Sequence, residues 1–262
     1  MRHCKVWQSG LALGLAAAVL AGCGTAVVQP NERIERVDPS SGYRISKLVQ
    51  RSRAAKDSPE TLFILTFFGG GTRAAALPYG VLEELQRTRI RLRGGPLHSL
   101  LSEVDLITGV SGGSFTALAY ALYGERLFSE YEQRFLKRDV EGELARRTFL
   151  SPSNWSKLAS SEYGRSELAA DFYDEILFAN ATFNDLLALN TPATAVTGTD
   201  LSTGARFQFS QDQFDLICSD LAKVKLSRAA ATSSGCRWSS RPSPFATTAV
   251  AAGPSCRHGC LT

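Results

Sequence analysis

The chain has 262 residues, 44% hydrophobic and 21% charged, a balance that suits one sizeable globular core and argues against a disordered or fibrous chain. Its 29 Lys and Arg face 25 Asp and Glu, so the net charge of +4 carries no basic block and nucleic acid is not an expected partner. No internal repeat is present.

In chain order, the first segment is a leader. Arg2, His3 and Lys5 form a positive start, and "LALGLAAAVLAG" is an apolar stretch too short to span a bilayer comfortably. It closes on "LAGC", residues 20–23, which resembles a bacterial lipobox: cleavage before Cys23 and acylation of its thiol are expected, the alternatives being an ordinary signal peptide with a chance cysteine or an uncleaved anchor. Gly24 follows instead of Asp, so nothing argues for retention at the inner membrane. The expectation is an exported protein tethered to the envelope through lipidated Cys23, at the outer membrane facing the periplasm.

Residues 24–60 carry Pro30, Pro39 and Pro59 and read as a tether, with a short helix over "YRISKLVQRSRAA". "TLFILTFF", residues 61–68, is a continuous apolar run expected to be a fully buried parallel strand. A glycine cluster, "GGGTRAAA", ends it and opens a helix over "TRAAALPYGVLEELQRT". "EVDLITG" reads as a second buried strand, and "SGGSFTALAYALYG" as a largely apolar helix closed by Gly124. Charged amphipathic helices fill about 125–150 and 165–190, and "ATAVTGTDLSTGARFQFS" has the character of a hairpin. Strands alternating with helices predict an α/β fold with a sheet covered on both faces.

Two loops carry the chemistry. Gly109, Ser111 and Gly113 satisfy G-x-S-x-G between a buried strand and a helix, where small neighbours let a serine sit on a sharp turn. Ser111 then lies at a helix N-terminus, whose free N–H groups favour developing negative charge. Gly69, Gly70 and Gly71 follow the other strand and expose backbone N–H groups to a close-approaching substrate. A nucleophile and an oxyanion hole are the two parts that acyl transfer needs. The rival reading, a dinucleotide loop at Gly69, Gly71 and Ala74, requires an acidic residue about 20 positions on; "TRIRLRGGPLHS" has none.

These two motifs, in this order, resemble the patatin-like phospholipases: a G-G-G-x-R oxyanion loop at Gly69, Gly70, Gly71 and Arg73, and the nucleophile Ser111. The hairpin and the "LSRAAATSS" helix extend the resemblance over residues 61–234. It implies a three-layer α/β/α sandwich with a mainly parallel central sheet, incomplete at its C-terminal end. The implied activity is acyl-ester hydrolysis of phospholipids, of phospholipase A or lysophospholipase type, without metal or cofactor. Arg73 would hold the loop or a phosphate, or else be a solvated side chain. A non-enzymatic envelope protein binding lipid or a partner through the same fold is the alternative.

The base is the difficulty. His3 leaves with the leader, His258 lies in the tail, and His98 reads as a surface loop residue. The resemblance implies instead an aspartate in a D-G-G or D-G-A motif, yet no Asp-Gly pair occurs anywhere in the chain. Asp200 resembles a structural position; Asp212, Asp215 and Asp220 are expected to cap or solvate the following helix. From Gly235 the expected apolar strand is missing as well. Back-translation from the third base of the Gly235 codon, with serine as TCN, permits "LPVVLSPVTFRNYGG", an apolar strand. A frameshift near residue 235 is therefore expected, with residues 235–262 an aberrant tail and the aspartate encoded downstream; a genuine low-complexity tail is the alternative. On that reading Cys236, Cys256, His258 and Cys260 are accidental and no metal site is expected.

Overall fold

The computed structural model describes residues 31–56, 60–151, 154, 165–200 and 203–235. Cys23 and the rest of the leader, residues 1–23, and the tail from 236 onward lie outside them. The chain enters through helix α1 (Ile45–Ala54), and strand β1 (Ile64–Phe67) leads into helix α2 (Gly71–Arg87). A two-stranded ribbon of β2 (Arg89–Ile90) and β3 (His98–Ser99) precedes β4 (Leu106–Val110) and helix α3 (Gly112–Tyr123). Short helices α4 (Leu127–Tyr131), α5 (Val140–Phe149), α6 (Arg165–Tyr173) and α7 (Phe183–Ala188) follow. The hairpin of β5 (Ala193–Thr199) and β6 (Arg206–Gln208), then α8 (Gln211–Asp215) and α9 (Leu226–Ser234), complete the described order.

Four strands form one mixed sheet in the order β1-β4-β5-β6, with β1, β4 and β5 parallel and β6 antiparallel to β5. Helices flank this mostly parallel sheet, which is the α/β architecture expected from the alternating elements. Phe67 lies beside Gly109, and Gly109 beside Val196. That register turns the side chains of one sheet face toward α3 and α9, where a Cβ at Gly113 would strike Phe67 and one at Gly198 would meet Thr232.

The segment read as a fully buried strand departs from expectation. β1 is the outer strand of the described sheet, and Leu62 and Ile64 are 47% and 44% exposed. Its inward neighbours Phe67 and Ile107 are buried, but no described element covers the other face at this edge. An apolar run reports that a strand is compatible with burial on both faces; whether both are covered depends on distant segments.

Three long-range polar ties hold the layers. Tyr43 Oη donates to the Thr194 carbonyl and accepts the Thr194 N–H, clamping the approach to α1 onto β5. Burial pushes the Tyr43 phenol up to about 12, outweighing the opposing effect of the Thr194 hydrogen bonds. The buried Arg44 guanidinium reaches Asp212 at 2.6 Å and Asp215 at 2.7 Å, so these two carboxylates pair with an arginine instead of merely capping or solvating a helix. Asp220 does cap, accepting the N–H of Ala222. Asp105, just ahead of β4, binds Lys56 at 2.6 Å and accepts the Phe63 N–H.

Around them the apolar core includes a stack of Phe115, Phe135 and Tyr131, and a second group of Phe183, Phe209 and Phe214. Cys218 is buried and disulfide-bonded; every other cysteine of the chain lies outside the described residues.

Candidate active site

Ser111 ends β4 and begins α3 with φ 52° and ψ −123°, a backbone region that L-residues seldom occupy. Three glycines make the turn sterically feasible. A Cβ at Gly109 would lie 2.7 Å from Ser114 Cα, and one at Gly113 would lie 2.7 Å from Phe67 Cβ and the Phe68 carbonyl oxygen. The third, Gly112, falls at a position the motif leaves open, yet a Cβ there would come within 2.1 Å of the Gly71 carbonyl oxygen. The G-x-S-x-G pattern does not specify this residue; the doubled glycine in "GVSGGSF" is its signal in the sequence.

The glycine loop lies against this turn. A Cβ on Gly69 would sit 3.0 Å from Ser111 Cβ and 3.7 Å from Ser111 Oγ, so the loop passes directly beside the hydroxyl. Gly70 and Gly71 have φ of 143° and 66°, conformations open to glycine, and α2 starts at Gly71. Two helix N-termini, those of α2 and α3, therefore meet around Ser111. Their first N–H groups have no carbonyl partner within the helix and their dipoles favour negative charge.

The surroundings of the serine are apolar on one side and open. Beyond the last β1–β4 pair, Phe68 and Val110 are 57% and 45% exposed, immediately before the glycine loop and Ser111 respectively. Arg73 is exposed in the first turn of α2 and makes no hydrogen bond or ion pair among the described residues. Ser111 is tied through its backbone: its N–H donates to Ser233 Oγ at 2.8 Å, and its carbonyl accepts from Ser114 Oγ at 2.5 Å. Its own Oγ makes no hydrogen bond among the described residues.

Among the described residues, neither His98 nor the hairpin Asp200 approaches it as a base. His98 lies ahead of β4, at the far end of that strand from Ser111, with Nε2 2.9 Å from the Glu103 carboxylate and Nδ1 3.0 Å from the Pro96 carbonyl. Asp200 accepts from Thr203 Oγ1 in the hairpin turn. Glu141 Oε1 comes near the loop, 3.8 Å from where a Gly71 Cβ would be. Among the described residues no group of three or more His, Cys, Asp and Glu is placed to hold a metal, and no helix is long and apolar enough to cross a membrane.

The sequence profile of the patatin-like phospholipases matches residues 65–236, from β1 through the whole of α9. The chain belongs to the patatin-like phospholipase family. The matched span of this patatin-like domain contains both loops just described, the glycine run and the serine turn. No curated protein matches the sequence. Two solved structures of human GIVD cytosolic phospholipase A2 in complex with methyl γ-linolenyl fluorophosphonate, one of them also with terbium chloride, are similar to it at 15% and 16% identity. Their TM-scores are 0.45 and 0.41 over 84% and 86% of this chain. The chain spans 38% and 40% of the length of those two proteins.

Proposed function

We propose that this chain carries the scaffold of a lipid-anchored serine acyl hydrolase acting on phospholipids, of phospholipase A or lysophospholipase type. The observation that carries the reading is Ser111 held at φ 52° between two helix N-termini, with the Gly69 loop packed on its Cβ. Ser111 Oγ attacks the ester carbonyl carbon, and the oxyanion that forms is received by N–H groups of the Gly69–Gly71 loop. A general base takes the Oγ proton and returns it to the leaving alcohol; water then cleaves the acyl-serine by the reverse sequence. No step calls for a metal or cofactor. Exposed Phe68 and Val110 offer an acyl chain an apolar approach to the serine, which supports a lipid substrate. Exposed and unpaired, Arg73 is available to a phosphate.

The base is the aspartate of a Ser-Asp dyad, absent from this chain and encoded downstream of a frameshift near residue 235. Its loss costs catalysis on the order of 10³-fold or more, so the chain as written is largely inactive. Anchoring is through acylated Cys23 at the outer membrane, facing the periplasm. The free Ser111 Oγ favours a second reading, a non-enzymatic envelope protein that binds lipid or a partner with the same cleft.

Fatty-acid release from phosphatidylcholine vesicles and from lysophosphatidylcholine decides between these. The 262-residue protein is expected near background, and a version continued in the restored frame is expected to hydrolyse lipid in a Ser111-dependent manner. Robust hydrolysis by the 262-residue protein, lost in Ser111→Ala, would overturn the missing base. No hydrolysis by the restored protein would overturn the enzyme in favour of the binder.

A further inference from the structure

We infer that Ser233, on α9, is a positioning residue for the nucleophile: its hydroxyl is built into the sheet ladder at the point where β4 turns into Ser111. The inference rests on the reading of Ser111 as nucleophile and adds a part to it. The parallel ladder between β4 and β5 ends at the pair Val110 and Thr197. One residue later the β4 chain swings away at Ser111, so the Ser111 N–H and the Thr197 carbonyl can no longer meet directly. Ser233 Oγ fills the gap, accepting the Ser111 N–H at 2.8 Å and donating to the Thr197 oxygen at 2.7 Å. A hydroxyl has one hydrogen, so these roles are fixed: it is an acceptor toward the amide and a donor toward the carbonyl. The two bonds run head to tail and reinforce one another.

The hydroxyl is itself held firmly. α9 packs on β5, and Ala229, Ala230 and Ala231 on the turns before Ser233 are buried. The Val110–Ser111 peptide is thereby pinned to a core helix from 122 residues downstream, which fixes the plane from which the strained φ of Ser111 departs. The bridge also occupies the Ser111 N–H. That amide is therefore not an oxyanion donor, and the task falls to the glycine loop. Adjacent Ser234 has no such role, because its Oγ bonds only within α9, to the Ala231 carbonyl.

The test uses the purified 262-residue protein with two readouts: the inactivation rate constant and apparent KI for an alkyl fluorophosphonate, followed by intact mass, and hydrogen exchange at the Ser111 amide. Ser233→Ala is expected to lower the rate constant about tenfold, the worth of one net hydrogen bond, with KI unchanged. It should speed Ser111 amide exchange by a similar factor. Ser233→Thr, which keeps the hydroxyl, restores both, and Ser234→Ala changes neither. Wild-type labelling and wild-type exchange in Ser233→Ala would overturn the inference while leaving the nucleophile in place. If the wild-type protein is not labelled at all, the hydrolase reading fails, and the amide alone decides the bridge. Should Ser233→Ala fail to fold, the wild-type amide still decides: fast exchange at Ser111 overturns the bridge and slow exchange upholds it.

Discussion

Asp105→Ala is expected to destabilise the protein by about 3–5 kcal/mol, the range for removing one partner of a buried ion pair. The Asp105 side chain is fully buried, and it binds three groups at once: Lys56 Nζ at 2.6 Å, Ser52 Oγ at 3.1 Å and the Phe63 N–H at 2.9 Å. Alanine leaves the Lys56 ammonium, itself largely buried, with only the Glu103 carbonyl as its remaining partner, and leaves the Phe63 amide unpaired. Both costs fall at one point, the place where α1, the approach to β1 and the start of β4 are joined. Urea unfolding followed by circular dichroism should show the midpoint falling by on the order of 1–2 M. An unchanged midpoint would mean that the pair contributes nothing net. Replacing Asp105 and Lys56 together by apolar residues should recover much of the loss, since it is the unpaired charge that is costly.

Gly112→Ala is expected to suppress reactivity of Ser111 by about 100-fold or more, a larger effect than its single methyl suggests. The added Cβ would lie 2.1 Å from the Gly71 carbonyl oxygen and 3.0 Å from the Gly71 carbonyl carbon. Both are backbone atoms, so no side chain can rotate away, and one of the two loops must move. Displacements near 1 Å at a reacting centre cost about that factor, and overpacking adds about 1–3 kcal/mol of strain. Gly80→Ala, in the middle of α2 with open space around its Cβ position, is the matching control and should leave labelling unchanged. Equal fluorophosphonate labelling rates in both variants would contradict the close packing of the two loops.

Much of this was legible in the chain itself, for a physical reason. Buried strands, glycine loops and helix starts are local, and each leaves a pattern within about ten residues. "ITGVSGGSF" encodes strand, turn and helix together, and Gly124 closes α3 with φ 54° as its position suggested. The exposed edge at Ile64 was not legible, because apolar residues in β1 do not say whether another segment lies beside them. The pairing of Arg44 with Asp212 and Asp215 spans some 170 positions and has no sequence period. Ser233 was hidden in the same way: within "ATSSG" it looks like one of two ordinary serines near a helix end, and only the sheet register separates it from Ser234. Pro78 posed the opposite problem, since a proline usually breaks a helix; here α2 continues through it, leaving the Ala74 carbonyl without its intrahelical donor.

The placement of the candidate site follows from the topology. β1 and β4 are adjacent and parallel, so the loops after them emerge at the same sheet end, and the helices that follow direct their N-termini to one spot. That arrangement, with the Ser233 bridge from α9, supplies a serine and a preorganised set of N–H donors without help from the proton acceptor. The glycine loop and serine turn are thus expected to retain a slow intrinsic reactivity even where the proton acceptor is missing, since oxyanion stabilisation and binding act without it.

The most direct measurement is therefore prolonged incubation of the folded 262-residue protein with an alkyl fluorophosphonate, read by intact mass and peptide mapping. The predicted result is slow labelling that reaches one adduct per chain, located on Ser111 and absent from Ser111→Ala. A folded protein that gains no adduct, or an adduct that persists in Ser111→Ala, would contradict the assignment of Ser111 as nucleophile.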